Sequence, residues 1–287
     1  MDDARIAQNR QRLIALAYRM LGERGEAEDA VQEALLRYTG HDGPIDNAEA
    51  WLTTVTTRIC LDRLTSAQRR REAYIGPWLP EPIATDTPDP ADAADLADSL
   101  TLGFLVVLER LSPLERAAFL LHDVFGYAHD EVAAMLERTP AAVRQVTSRA
   151  RAHLDDGRPR YDRDGERREA VARRFAQAAD GGDLEALMAV LAPDVTFVAD
   201  GGGVVPASRH PARGAELVAR RVHQFAGLRP VGWAITLREV NGEPAIVVSR
   251  EDGAVDTVWV LHTEDDLVLA IHAIRNPAKL TALRADR

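Results

Sequence analysis

Arg144, Gln145, Ser148, Arg149 and Arg151 lie in one short stretch, interleaved with Val143, Val146 and Ala150. On a helix the polar set shares one face and the apolar set the other. Such a face does no covalent chemistry. Arg and Gln can pair with base edges in a DNA major groove, and Ser can bind phosphate. A second basic stretch is Ala50–Glu72, with Arg58, Arg63, Arg69, Arg70 and Arg71 on a helical pattern that starts at Trp51. Its arginines could supply charge for phosphates; taken alone, a solvated amphipathic helix explains it about as well. A third group holds the acid–base candidates Asp194, Asp200, His210, His223, His262 and His272. His262 and His272 fall in alternating segments that could aim them at a pocket or at solvent. No general-base pair stands at a diagnostic spacing, so catalysis is not expected.

The elements that must position these residues can be read in turn. Residues 5–70 have helical periodicity, with Gly22 closing the first helix. Ala27–Tyr38 puts Val31, Ala34, Leu35 and Tyr38 on one face and Asp29, Gln32, Glu33 and Leu36 on another. A loop follows at Thr39–Asn47, then the Trp51 helix with Leu52, Val55, Ile59 and Leu64 inward. Ser112 reads as an N-cap with Pro113 at the first helical position. Phe125-Gly126-Tyr127 breaks that helix. His129–Leu136 leads into a turn at Glu137-Arg138, and Thr139 caps the next helix with Pro140 at its start. The pair reads as a helix-turn-helix.

Between the helical blocks, Tyr74–Pro82 carries three prolines and two large aromatic side chains, so it is extended. Trp78 and Leu79 would be costly to leave in water, and the segment is expected to dock elsewhere in the chain. Asp86, Asp89, Asp92, Asp95 and Asp98 follow with no Lys or Arg between them. That run keeps a linker solvated, or alternatively passes through a basic channel of a partner. Gly157–Gly165 is a second polar linker. From Glu166 on, two helices, a strand at Val195–Val198, a helix at Gly214–Phe225 and four strands near 231–240, 244–249, 255–262 and 267–274 predict an α+β domain. Asn241-Gly242 is a two-residue hairpin signal.

The 287 residues allow two or three domains. No apolar run approaches the length of a membrane span, and the first dozen residues lack a signal pattern. A lone cysteine, Cys60, excludes an internal disulfide framework and a multi-cysteine zinc site, and reads as a small core residue. A cytoplasmic protein is expected, with no cofactor and no metal. The net charge of −10 is unusual for a free-standing DNA binder. With the bases clustered and the acids elsewhere, it fits a chain that binds DNA weakly alone and works inside a larger complex.

Three motifs in order give a family resemblance. Ala27–Tyr38 (AEDAVQEALLRY), the Trp51 helix (AWLTTVTTRICLDRL) and Leu111–Leu154 together resemble sigma factors of the sigma-70 family, in the extracytoplasmic-function group. The resemblance implies core RNA polymerase binding through Asp29, Gln32, Glu33 and Leu36. It implies reading of the −10 element by the helix of Trp51, Leu52, Thr54 and Asp62, with a flipped base held by the Thr39–Asn47 loop, and reading of the −35 element by the helix-turn-helix. Arg58 stands where that family often has Asn. Residues 166–287 resemble the cone-shaped SnoaL-like fold that one subgroup carries as a C-terminal extension. Tyr74–Pro82, Asp200–Gly203 and Asn276–Leu280 match that subgroup's motifs, with Val204 where a Lys is common.

The expected architecture is therefore multidomain. Two all-α DNA- and polymerase-binding domains, at 5–72 and 100–156, flank a linker at 73–99, and an α+β SnoaL-like domain occupies 165–287. The resemblance implies regulation in cis by that domain in place of a separate anti-sigma factor. The residues expected to join linker and extension are Tyr74, Pro77, Trp78, Leu79, Pro80, Asp200, Gly201, Gly202, Gly203, Asn276, Pro277, Lys279 and Leu280. A small ligand of the extension is the alternative to a purely protein-contact role. The rival reading is a one-component regulator with a ligand-sensing domain, which would need neither Ala27–Tyr38 nor the Trp51 helix. A cone-fold enzyme with a helical appendage would leave the −10 and −35 type motifs without a role.

Overall fold

The computed structural model describes residues 3–85, 101–155 and 164–283. The expectations for the Asp86–Asp98 run and most of the 157–165 linker fall outside these residues. The chain divides into two compact units. Among the described residues, one comprises 3–73 and 104–155, and the other 74–85, 101–103 and 164–283. The four-part division read from the sequence is finer than this. The expected linker motif groups with the C-terminal unit.

The first unit is helical. Helices α1 (Asp3–Leu21), α2 (Arg24–Thr39) and α3 (Ala48–Glu72) pack together. Their shared core is Leu13, Leu16, Ala17 and Met20 with Ala27, Ala30, Val31, Ala34, Leu52, Ile59, Cys60 and Leu64. Small residues on α2 let its backbone approach closely, which leaves its opposite face free. Burial pushes the Cys60 thiol up to about 12, so it stays an inert core residue. Helix α4 spans Leu102–Leu108, and α5 spans Pro113–Phe119. Ser112 caps α5 in a capping box: its Oγ accepts from the Glu115 amide at 3.4 Å, and the Glu115 carboxylate accepts from the Ser112 amide at 3.0 Å. A π turn at Leu120–Val124 follows, and Gly126 at φ +75° ends it. Helix α6 (His129–Leu136) stops at Glu137, which adopts a left-handed φ of 53°. The Thr139 hydroxyl then accepts from the Ala142 amide at 3.2 Å and α7 runs over Pro140–Asp155. The helix-turn-helix expected from the cap and proline is present.

In the C-terminal unit, α8 (Gly165–Asp180) and α9 (Leu184–Val190) are capped by Asp164 and Asp183. Strand β1 (Leu191–Asp200), the short β2 (Ala212–Arg213) and α10 (Ala215–Gly227) follow, then β3 (Ala234–Val240), β4 (Glu243–Ser249), β5 (Val255–Glu264) and β6 (Leu267–Ile274). The sheet order is β2-β1-β6-β5-β4-β3, antiparallel except for the parallel β1–β6 pair. Asn241 (φ 54°) and Gly242 (φ 70°) make the two-residue turn between β3 and β4, as their types predict. One sheet face is covered by the helices, with Phe175, Leu187, Val218, Val222, Trp259, Leu261 and Ile271 in the shared core. This is the helices-first, sheet-after architecture of the SnoaL-like resemblance. Strand β1 is longer than expected because its start pairs with β6 across a register break between Leu191 and Thr196. No helix among the described residues is long and apolar enough to cross a membrane.

Candidate functional site

Helix α7 carries the clearest exposed polar face. Val143, Val146, Ala150 and Leu154 are buried, while Arg144, Gln145, Ser148 and Arg149 are exposed. Arg151 is also exposed, but it pairs with Asp123 at 2.6 Å. Four polar side chains on consecutive turns suit a major groove, where bidentate Arg and Gln contacts discriminate bases. Beside this face the rings of His122 and His129 lie 3.8 Å apart. Burial, then the neighbouring His122, Arg144 and Arg151, hold His129 below the usual histidine range. Sequence reading missed this pair, whose members come together only through the turn at Phe125–Ala128.

Helix α3 presents a different surface. Asn47 caps it, accepting from the Ala50 amide at 3.1 Å. The Trp51 ring meets Tyr38 edge-on and His41 at a tilt, ring centroids 5.7 and 5.6 Å away. A cleft of about 420 Å³ opens between this helix and the preceding loop, lined by His41, Ile45, Asn47, Trp51, Thr54 and Arg58 among others. An aromatic wall with nearby amide and hydroxyl groups can stack and hydrogen-bond a flat heterocycle.

The arginines of α3 are not equivalent. Arg58 is exposed, yet it pairs with Glu137 at 2.9 Å and donates to the Met135 carbonyl at 3.1 Å. Arg63 and Arg71 were both expected among the phosphate contacts; here their guanidinium groups meet protein acceptors. Arg63 bridges Glu26 at 3.1 Å and Glu33 at 3.0 Å on α2. Arg71 pairs with Glu109 and donates to the Leu21 carbonyl at 2.7 Å. The cause is geometric: both lie on the side of α3 that packs against other helices, where an unpaired cation would be costly. Arg69 and Arg70 stand in the last turns of α3, and their side chains lie outside the described residues.

On α2, Asp29, Gln32 and Leu36 are exposed, and Leu36 keeps 65% of its surface in solvent. Glu33 stands beside them, paired with Arg37 at 2.6 Å as well as with Arg63. An exposed leucine within a polar stripe marks a protein-binding surface better than a solvated face does.

In the C-terminal unit, Tyr74, Trp78, Leu79, Gly202, Asn276 and Lys279, all expected to join linker and extension, come together around Asp200, while Pro277 is exposed. The Asp200 carboxylate is fully buried. One oxygen accepts from the Tyr74 hydroxyl at 2.6 Å and the Gly202 amide at 2.9 Å; the other accepts from the Leu79 amide at 2.9 Å and the Lys279 ammonium at 2.7 Å. Lys279 also donates to the Leu79 carbonyl and lies 4.1 Å from the Trp78 ring centroid, a cation–π contact. Asn276 donates to the Tyr74 hydroxyl at 2.9 Å and caps the short turn Pro277–Lys279. Gly202 is required here: its φ is +66°, and a Cβ would stand 2.6 Å from Asn276 Cγ. Gly203 passes under Ile75, and Gly201 turns against the Val205 carbonyl. Leu79, Pro80 and Leu280 are buried, and Pro77 is half-buried. Val204, by contrast, points into solvent at 76% exposure, so its side chain takes no part.

The acid–base candidates separate. Asp194, His210 and His223 are exposed. His262 and His272 are buried on one face of the sheet, and His262 Nδ1 lies 3.1 Å from Glu243. Burial, opposed by Glu243 and reinforced by His262, pushes His272 down to about 4, so its imidazole is neutral. Sequence reading missed Glu243. The available signal was a carboxylate placed immediately after a tight hairpin turn, at the first position of a strand.

Comparison with known proteins identifies the family of the chain. Residues 5–70 match the family model of sigma-70 region 2, and residues 103–154 that of sigma-70 region 4. The ECF RNA polymerase sigma factor SigJ of Mycobacterium tuberculosis is 39% identical over 95% of this chain and 91% of its own length. The probable ECF RNA polymerase sigma factor SigI of the same organism is 34% identical over 97% of this chain and 94% of its own. The crystal structure of M. tuberculosis SigJ superposes with a TM-score of 0.79 at 35% identity, covering 99% of this chain and 100% of that one.

Proposed function

Because the chain belongs to the extracytoplasmic-function sigma factors of RNA polymerase, we propose that it binds core polymerase, directs promoter-specific initiation, and is regulated in cis by its C-terminal domain. The observation that carries the regulatory half is the buried Asp200–Lys279 pair closed on Tyr74–Leu79. A carboxylate with four donors is stable only while the linker motif supplies two of them. Linker and extension are therefore energetically coupled, and whatever shifts one shifts the other. A separate anti-sigma factor has no part in this reading. Nor does a one-component regulator, which has no use for region 2.

Helix α7 is proposed to read the −35 element through Arg144, Gln145, Ser148 and Arg149, with Arg151 on phosphate. The Trp51 cleft is proposed to take a base of the −10 element, and Asp29, Gln32, Glu33 and Leu36 to meet core polymerase. Arg144→Ala is expected to weaken promoter binding by the holoenzyme by about 1–3 kcal/mol if Arg144 makes a bidentate base contact. A variant that binds its promoter as the parent does removes Arg144 from the readout; equal loss on every sequence makes it a phosphate contact.

The test on the polymerase side is Leu36→Asp. An exposed apolar residue changed to a charge should leave folding untouched, within about 0.5 kcal/mol. It should nevertheless reduce co-elution with core polymerase at least tenfold. Glu33 is the less clean probe, since its removal also frees Arg63. Undiminished co-elution of Leu36→Asp would move the polymerase surface off α2.

A further inference from the structure

We infer that the β3–β4 hairpin is a second clasp, gripping the chain just before and just after residues 86–100, with Glu243 as the positioning residue of its downstream grip. This rests on the proposed regulation in cis and extends it to residues outside the Asp200 cluster.

The upstream grip is a strand addition. β3 is the edge strand of the sheet, and its end would leave backbone groups unpaired. Ala84 bridges Val240 in antiparallel fashion, and the Thr85 amide donates to the Glu239 carbonyl at 3.0 Å. Asn241, itself 1% exposed, closes on Ile83 from both sides. Its amide donates to the Ile83 carbonyl at 2.8 Å, and its Oδ1 accepts from the Ile83 amide at 2.9 Å. The Gly242 amide adds a bond to the Thr85 hydroxyl at 2.9 Å.

The downstream grip is a buried carboxylate. Glu243 is 2% exposed. One oxygen accepts from the Leu102 amide at 2.7 Å and the Gly103 amide at 3.3 Å; the other lies 3.1 Å from His262 Nδ1. Leu102 and Gly103 are the first two residues of α4, whose amides have no partner within their own helix. Each side therefore supplies what the other lacks. The carboxylate satisfies orphan donors, and the donors offset the cost of burying the charge. Withdrawing residues 101–103 would leave Glu243 buried with His262 alone. Consecutive residues from Glu239 to Glu243 thus hold both flanks of the connection that leads from region 2 to region 4.

The test is hydrogen exchange on the full chain. Glu243→Ala should raise amide exchange at Leu102 and Gly103 at least tenfold, while the Leu79 amide, held by Asp200, stays protected. Asn241→Gly keeps the left-handed turn but removes the side-chain acceptor, and should expose only the Ile83 amide. Unchanged exchange at Leu102 and Gly103 in a folded Glu243→Ala chain overturns the inference. Should that variant unfold, unchanged exchange at Ile83 in Asn241→Gly overturns it instead. Initiation with core polymerase separates the two levels. Faster exchange with altered initiation supports a regulatory clasp. Faster exchange with unaltered initiation leaves the grip as found and contradicts regulation through the linker.

Discussion

Lys279→Met is expected to destabilise the C-terminal unit by about 3–5 kcal/mol, the usual cost of removing one partner of a buried ion pair. The size follows from what stays behind. Asp200 is fully buried, and without the ammonium its charge is held only by the Tyr74 hydroxyl and the Leu79 and Gly202 amides. Methionine fills much of the space of the lysine stem, so lost packing contributes little. The loss should fall on the linker as well, because Lys279 also binds the Leu79 carbonyl and the Trp78 face. Pairing the change with Asp200→Asn removes the stranded charge, so the double variant should cost clearly less than the two single costs added together. Urea unfolding followed on the transition of this unit measures all four chains. A cost below about 1 kcal/mol for Lys279→Met would mean that water reaches the pair, as at a surface ion pair, and that the clasp is weak.

Acid should loosen the same unit through His272. Its imidazole is neutral in the folded chain, with a pKa pushed down to about 4, against an ordinary value near 6.5 once unfolded. Between those values the unfolded chain binds more protons than the folded one, so stability falls as pH falls. The contribution is intact above pH 6.5 and is lost progressively towards pH 4, to a total of about 3 kcal/mol. Between pH 7.5 and pH 5 the loss should be about 2 kcal/mol. His262 and Glu243 face the same group, and both remain in His272→Gln. That variant should therefore flatten the pH dependence of the urea midpoint by most of this amount. An identical slope in the two chains would locate acid sensitivity elsewhere.

The legible parts of this chain were those fixed by local chemistry. Ser112-Pro113 and Thr139-Pro140 mark helix starts because caps and proline act within four residues. Asn241-Gly242 specified a turn that needs two positive φ angles. Docking of Tyr74–Pro82 could be argued from the cost of an exposed Trp78, whereas its partner turn, Asp200–Gly203, was pointed to only by the family resemblance. Charge type, however, carries no direction. Arg58, Arg63 and Arg71 look alike in sequence, yet helix phase turns the last two onto Glu26, Glu33 and Glu109. Glu243 stayed hidden for a similar reason. Its donors at Leu102 and Gly103 lie some 140 residues away, and its His262 partner depends on a strand register that no local pattern sets.

Regulation in cis is tested most directly by initiation from a genomic DNA template, using core RNA polymerase with either the full chain or a chain ending at residue 163. Co-elution with core is scored on the same samples. The account predicts that both chains join core polymerase and that the level or choice of transcripts differs between them. Identical transcripts from two equally bound chains would contradict a regulatory role for the C-terminal domain, and failure of both to join core would contradict the initiation role itself.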